Sequence, residues 1–257
     1  MKYYIVDAFT DELFKGNPAG VCILENELEI LTMQKIAAEN NLSETAFALK
    51  QEGYYNLRWF TPKKEINLCG HATLGTAFII ANFVDKNAVE FRFETKSGTL
   101  TVDKKDDLYI MDFPANKPQK TKITQQMEKA ISASVCEAYI SRDLMLLLEN
   151  EQQIRNLIID FNLIKEIADH AVIVTAKGDS VDFVSRVFAP NMGIDEDPVT
   201  GSTHTTLIPF WSERLNKNKM TAMQLSERGG MIHCEDCGNR VKMAGKAVLY
   251  LQGELFL

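Results

Sequence analysis

Alternating apolar and polar positions predict a chain built mainly from β-strands. Runs rich in β-branched and aromatic residues that end at turn residues are typical of strands. The first half contains such runs at residues 3–9, 21–24, 57–61, 90–95, 99–103 and 108–113. The second half contains them at residues 137–140, 143–148, 171–175, 182–188, 231–234, 241–243 and 247–251. Residues 16–20, with the sequence GNPAG, are interpreted as a turn between the first two strands.

Helical spacing of apolar residues predicts helices at residues 31–39 and 124–133 and short helical pieces within 154–167. Two further runs, residues 72–84 and 203–211, are mostly apolar. A run that is apolar on almost every face is typical of a helix buried on all sides. Pro209 lies inside the second run and is expected to kink this helix or end it early, because proline has no N–H to donate.

Composition narrows the class of protein. The 257 residues fit one large domain or two small ones, and 46% apolar with 25% charged residues is typical of a soluble globular protein. A net charge of −7 argues against a nucleic-acid partner, because phosphate binding needs basic density. No apolar run approaches the ~20 residues of a membrane span, and no signal peptide is visible. Five cysteines with irregular spacing favour a reducing, cytoplasmic location.

An internal repeat organises the chain. Strand residues Arg58-x-Phe60-x-Pro62 match Arg186-x-Phe188-x-Pro190, and the residues that follow match in order: Glu65, Gly70 and His71 with Glu196, Gly201 and Ser202. The repeat predicts an α+β fold of two pseudo-symmetric halves, residues 1–114 and 118–257, joined by the Pro-rich segment 114–118. Each half is expected to wrap a mixed, mostly antiparallel sheet around a central buried helix, with the last residues free to pack back on the first half.

The repeat also predicts where a ligand binds. Two buried helices that enter from opposite halves would aim their N-termini at a shared cleft, and helix N-termini favour anionic groups such as carboxylates. The second glycine turn lies in residues 193–202, GIDEDPVTGS, which combine acidic residues, a proline and a Thr-Gly-Ser turn. This combination of residues is more typical of a loop that lines a binding site than of a hydrophobic core or an ordinary surface loop.

Five segments together resemble the phenazine-biosynthesis isomerase family, the PhzF-like proteins: GNPAGV (16–21), NLSETAF (41–47), LCGHATLG (68–75), SRVFAP (185–190) and EDPVTGS (196–202). The resemblance covers the whole chain in the right order. It implies a diaminopimelate epimerase-like fold with the site between its halves, and a homodimer is plausible for the family. It implies a small carboxylate-bearing substrate, and it implies no metal, flavin or pyridoxal cofactor.

The resemblance also implies roles for individual residues. The family's proton-moving glutamate maps to Glu44, whose apolar neighbours include Leu42 and Phe47, and its active-site His, Asp and Ser map to His71, Asp197 and Ser202. Four more positions are candidates for substrate contacts through turn geometry or backbone amides: Asn17, Gly70, Thr200 and Gly201. The hypothesis is a cofactor-independent biosynthetic isomerase that works by general acid/base catalysis.

Other interpretations stay open at this point. Glu44 could be a strand-edge residue, His71 a packing residue, Asp197 a turn acid and Ser202 a helix N-cap. A two-base racemase could use Cys69, although the second glycine turn has no cysteine, and a non-catalytic binding protein could use the same fold.

The tail sequence HCEDC at 233–237 invites a zinc interpretation, but a single C-x-x-C favours a hairpin with two free thiols. His170 and His204 are interpreted as a strand-end and a helix residue rather than as ligands.

Overall fold

A computed structural model describes all residues from Met1 to Leu257. The chain forms two compact units, one of Met1–Asp112 with Ala244–Leu257 and the other of Phe113–Met243. The strands of the first unit are β1 (Lys2–Ala8), β2 (Asn17–Leu24), β3 (Glu44–Lys50), β4 (Tyr55–Phe60), β5 (Glu65–Ile66), β6 (Glu90–Thr95), β7 (Gly98–Lys105), most of β8 (Leu108–Pro114) and, from the tail, β17 (Ala247–Glu254). Its helices are α1 (Ile30–Asn40) and α2 (Gly70–Ile79), which continues as a π-helical turn over Ile80–Val84.

The second unit has the same kinds of element. Its strands are β9 (Gln119–Thr121), β10 (Glu137–Ile140), β11 (Leu144–Leu147), β12 (Val172–Lys177), β13 (Phe183–Phe188), β14 (Lys219–Gln224), β15 (Gly230–Asp236) and most of β16 (Arg240–Gly245). Its helices are α3 (Gln125–Ile131), α4 (Glu151–Arg155), α5 (Phe161–Ile167), a 3₁₀ turn at Pro190–Met192 and α6 (Gly201–Leu215).

The two sheets share one pairing pattern. In the first unit the order is β17-β1-β2-β3-β4-β6-β7-β8, with parallel pairs at β2–β3 and β4–β6 and antiparallel pairs elsewhere. In the second unit the order is β9-β10-β11-β12-β13-β14-β15, with parallel pairs at β11–β12 and β13–β14. In chain order, a buried helix falls between the two strands of the second parallel pair in each unit: α2 between β4 and β6, and α6 between β13 and β14.

Alternation along the strands of the first unit separates two cores. Side chains of successive strand residues point to opposite faces of a sheet. Accordingly Tyr4 and Val21 pack with Ile79 of α2, whereas their neighbours Tyr3 and Cys22 belong to the core with α1. Phe78 and Asn82 of the helical segment also contact Tyr109 of β8, so the sheet curves around this buried helix.

The second unit buries α6 in a similar way. One core of this unit contains Ile164 of α5 and Ile154 of α4 together with Val174 and Val184, and it includes no residue of α6. On α6, Trp211 stacks on Phe183 at 5.7 Å, and its indole N–H donates to Thr175 Oγ1 at 3.0 Å. These contacts confirm the α+β fold class that was predicted from the sequence.

The structure differs from the expected turn at residues 16–20 and from one of the two alternatives expected for Pro209. Strand β2 begins at Asn17, so of the predicted turn residues 16–20 only Gly16 (φ +63°) lies outside the strand, and the turn is formed by the residues before it. Pro18 pairs with Asp7 of β1, whereas pairing with β3 starts only at Ala19, so Pro18 lies next to the end of the β3 ladder, where proline is better tolerated than in its middle.

Pro209 does not end α6 early, since the helix continues to Leu215. Proline at this position leaves the carbonyl of Thr205 without its helical N–H partner. The backbone N–H of Asn116 donates to that carbonyl at 2.9 Å, which supplies the missing partner.

No helix combines the length and the apolar character that crossing a membrane would require.

Candidate active site

The candidate site in the first unit is formed where β3 and α2 begin. Glu44 is the first residue of β3, and it pairs with Ala19 of the parallel neighbour β2. His71 is the second residue of α2, whose N-terminus follows Cys69 in extended conformation. Nε2 of His71 lies 3.2 Å from Oε2 of Glu44, and the two side chains are only 7% and 9% exposed. The structure therefore places the predicted acid/base residue, Glu44, next to His71, which was predicted to act beside it.

Cys69 is the third member of this cluster. Its sulfur lies 3.6 Å from Nδ1 and 3.9 Å from Nε2 of His71, and the side chain is buried. Burial is the largest influence on the thiol and raises the pKa of Cys69, although the charge of His71 opposes the rise. Cys69 therefore carries its proton at neutral pH.

The pKa of His71 is raised although the residue is buried. Burial disfavours its imidazolium form, but the Cys69 sulfur and the Glu44 carboxylate favour that form more strongly, so the pKa of His71 lies well above its usual value. The neighbouring sulfur and carboxyl group thus favour the charged form of this buried imidazole. A carboxylate can accept a proton while the imidazolium donates one, which is the chemistry of general acid/base catalysis.

The other predicted residues of the first unit lie nearby in the chain. Gly70 is the first residue of α2 and joins Cys69 to His71. Asn17 is buried at the start of β2, two residues before the Ala19 that pairs with Glu44.

The predicted residues of the second unit meet at the start of α6. Thr200 Oγ1 donates to Asp197 Oδ2 at 2.6 Å, so Asp197 has the turn-stabilising contact of a structural acid. The buried Gln224 holds the same turn, because its Oε1 accepts from the Thr200 N–H at 2.9 Å and its Nε2 donates to the Asp197 carbonyl at 2.7 Å. Gly201 is the first residue of α6 and corresponds to Gly70 in the repeat.

Ser202 is the second residue of α6 and not its N-cap, which is Thr200. Its Oγ accepts a hydrogen bond from Arg142 Nη2 at 3.0 Å. Asp143, which is almost fully buried, pairs with the same guanidinium at 2.8 Å and with His170 Nδ1 at 2.8 Å. The sequence reasoning missed Arg142 and Gln224; the only signal for Arg142 is its place in a Ser-Arg-Asp turn after β10.

Matching ion pairs support the alignment of the two repeats. Arg58 forms two hydrogen bonds with Glu65, at 2.8 and 2.9 Å, and Arg186 forms two with Glu196, at 2.7 and 2.8 Å. Each guanidinium also lies over the aromatic ring two residues later on its strand, at 5.6 Å in the first unit and 5.2 Å in the second. These glutamates hold the turns before α2 and α6, which fixes where each helix begins.

The remaining candidates have structural environments. His204 donates from Nδ1 to the Thr200 carbonyl at 2.8 Å, and burial lowers its pKa to about 4, so it is neutral. Cys234 is buried in β15, whereas Cys237 is exposed in the turn that follows, and both are free thiols.

The whole chain matches known proteins. Residues 6–253 match the family model of phenazine biosynthesis-like proteins. An uncharacterised isomerase of Pseudomonas aeruginosa is 44% identical over 252 residues, which cover 98% of this chain and 97% of that protein. The crystal structure of a PhzF-family phenazine biosynthesis protein from Enterococcus faecalis is 49% identical, with a TM-score of 0.98 over 100% of this chain and 99% of that one.

A more distant structure shows the same fold. A hydroxyproline epimerase from Agrobacterium vitis shares 10% identity but superposes with a TM-score of 0.61 over 98% of this chain and 91% of that one. The fold is therefore the one that diaminopimelate epimerase-like proteins share. With a family match over nearly its full length, the chain belongs to the phenazine biosynthesis-like (PhzF) protein family.

Proposed function

We propose that this isomerase moves a proton between two carbons of a small carboxylate-bearing substrate by general acid/base catalysis, without a cofactor. Glu44 takes the proton from the first carbon, and the electron pair left behind is delocalised into the conjugated system of the substrate. The proton returns at another carbon, so the reaction neither gains nor loses electrons. The observation that carries this proposal is the buried Glu44 carboxylate, 3.2 Å from His71 Nε2.

His71 assists the same step. An imidazolium beside the carboxylate can hydrogen-bond to negative charge that develops on the substrate, and low exposure strengthens that interaction. The Cys69 sulfur and the Glu44 carboxyl group raise the pKa of His71, which favours the charged form. Its place in the first turn of α2 adds the positive end of the helix dipole.

Asp197 and Ser202 stay predicted participants. Their proposed role is to bind the substrate, and the guanidinium of Arg142 beside Ser202 supplies a positive charge that suits a carboxylate group.

A second candidate function is a racemase or epimerase in which Cys69 is one of two proton-transfer groups. The specific support is the position of the Cys69 sulfur, 3.6 Å from His71 Nδ1. Because burial raises the pKa of Cys69, this thiol would act first as the proton donor. Loss of Cys69 separates the two functions: Cys69→Ala should abolish racemisation, whereas the Glu44 isomerase keeps most of its exchange activity.

The main test measures hydrogen exchange. The protein is incubated in deuterated water with a panel of small carboxylic acids, and each acid is examined by mass spectrometry for incorporated deuterium. Glu44→Gln preserves the shape of the side chain but removes the base, so exchange should fall about 10²–10⁴-fold. Glu39→Gln, at an exposed position of α1, is the matched control and should exchange like the wild type. Undiminished exchange in Glu44→Gln would exclude Glu44 as the base.

A further inference from the structure

Three kinds of metal-ligating atom lie close together in the buried cluster of Glu44, Cys69 and His71. The ligand atoms of the three residues all lie within 4.8 Å of each other. The nitrogen Nε2 of His71 is 3.2 Å from Glu44 Oε2 and 3.9 Å from Cys69 Sγ. Cysteine sulfur, imidazole nitrogen and carboxylate oxygen are all common ligands of zinc.

Two of the three separations are close to the edges of a zinc tetrahedron, and the third, between the sulfur and the carboxylate oxygen, is at most 4.8 Å against about 3.5 Å around a tetrahedral ion. With bonds of about 2.3 Å to sulfur and about 2.0–2.1 Å to nitrogen and oxygen, a tetrahedral ion places sulfur about 3.6 Å from nitrogen and nitrogen about 3.3 Å from oxygen. The observed separations of 3.9 and 3.2 Å differ from these by a few tenths of an ångström. The sulfur is almost equally far from both ring nitrogens, so a modest turn of the imidazole would aim Nε2 at a shared ion.

Charge and burial also fit a divalent ion. A thiolate, a carboxylate and a neutral imidazole together balance a charge of +2, so the complex would be neutral in its buried setting. Formation of the zinc–sulfur bond breaks the S–H bond of Cys69 and releases that proton to solvent, and His71 releases its proton in the same way. The side chains of His71 and Glu44 retain 7% and 9% exposure, which leaves an approach for the ion and for a fourth ligand.

We propose that Glu44, Cys69 and His71 form an inhibitory zinc site. This inference rests on the proposed function, because the bound ion occupies the carboxylate lone pair that Glu44 needs to accept a proton. Zinc therefore switches the isomerase off when it binds. The mixed S, N, O ligand set selects zinc over magnesium and calcium, which prefer oxygen ligands alone.

The test uses Co²⁺ as a spectroscopic probe for the zinc site. Co²⁺ is added to the reduced full-length protein without oxygen, and we expect one equivalent to produce a sulfur-to-cobalt charge-transfer band with the intense visible bands of four-coordinate cobalt. Zn²⁺ should displace the cobalt, and Mg²⁺ should not. A weak six-coordinate spectrum, or a site that Mg²⁺ occupies equally well, would overturn the proposal.

Single-residue variants identify which side chains bind the ion. Cys69→Ser should remove the charge-transfer band and weaken Co²⁺ binding by more than about 100-fold, above the 10–100-fold that loss of an outer hydrogen-bond partner costs. Glu44→Gln should keep the band but weaken binding. Cys237→Ser, which removes an exposed thiol, is the control and should leave the spectrum unchanged. Urea unfolding of each variant checks that it is folded, and a band that survives in folded Cys69→Ser disproves the site.

The zinc site and the proposed function can fail separately. Cobalt spectra need no substrate, so a cobalt site without Glu44-dependent exchange rejects the function alone. Glu44-dependent exchange without a charge-transfer band rejects the zinc site alone. If both hold, Zn²⁺ should inhibit exchange by the wild type and by Cys237→Ser equally, and Mg²⁺ should inhibit neither.

Discussion

At the scale of single residues, burial and the neighbouring groups together decide the protonation of the two buried histidines. Glu44, Cys69 and His71 are all buried, yet the pKa of His71 is raised because the Cys69 sulfur and the Glu44 carboxyl group lie next to it. His204, also fully buried, has a backbone carbonyl as its hydrogen-bond partner, and its pKa falls to about 4. The partner, and not burial alone, therefore determines whether a buried histidine is charged.

His204 should make the protein less stable at acidic pH. Its ordinary pKa is 6.5 and its folded value is about 4, so the unfolded chain takes up a proton first as the pH falls. The contribution of His204 to the free energy of unfolding is fully present above about pH 7. It falls between pH 6.5 and pH 4 and does not change further below pH 4. Between pH 7 and pH 5 the loss is about 2 kcal/mol.

His204→Asn keeps a donor for the Thr200 carbonyl but removes the titrating group. Urea unfolding at pH 7 and pH 5 should therefore show a smaller loss of stability in this variant than in the wild type. Equal losses in the two proteins would show that His204 does not titrate as the structure indicates.

The sequence could indicate Glu44 and His71 as candidate site residues but not the contacts that surround them. Glu44 and His71 stand in motifs, and the motif match alone indicated their roles. Arg142 and Gln224 act through contacts with residues 60 and 24 positions away, so no local pattern reveals them. The contact between Cys69 and His71, which are only two residues apart, depends instead on the extended backbone of Cys69 just before α2.

At the scale of elements, partners outside an element can override the preferences of its own residues. The strand patterns predicted most of the sheet because alternation reports directly which face is buried. The preference of Pro209 to end a helix is overridden by Asn116, whose N–H satisfies the Thr205 carbonyl. Such a contact joins two segments that are far apart in sequence, so helix propensity alone could not reveal it.

The Asn116 contact can be measured with a double-mutant cycle. Asn116→Pro removes the N–H and should cost about 1–3 kcal/mol, because a buried carbonyl loses its partner. In a Pro209→Ala background the new N–H of residue 209 can reach the Thr205 carbonyl, so the same change should cost about 1 kcal/mol less. Urea unfolding of the four proteins gives the coupling. Additive effects would show that the Asn116 N–H does not replace the missing helical bond.

At the scale of the whole molecule, the two units repeat the same pairing order with strands from different parts of the chain. In the first unit the outer neighbour of β1 is β17, which comes from the C-terminus, and in the second unit the corresponding neighbour of β10 is β9. The alternating pattern of 247–251 predicted a strand, but the backbone edge of a strand can pair with any of several other strands. Its pairing with β1 was therefore visible only in the structure.

This arrangement predicts that the C-terminal strand holds the N-terminal one in place. β17 pairs with β1 along its full length, from Lys2↔Glu254 to Ala8↔Ala247. Removing Ala244–Leu257 leaves β1 as an edge strand that pairs only with β2, so the amide hydrogens that β17 had covered should exchange at least about tenfold faster in hydrogen–deuterium exchange measured by mass spectrometry. Removing only Phe256 and Leu257, which are 91% and 75% exposed, is the control and should leave β1 protected. Unchanged protection of β1 after the longer truncation would show that β2 alone keeps this strand folded.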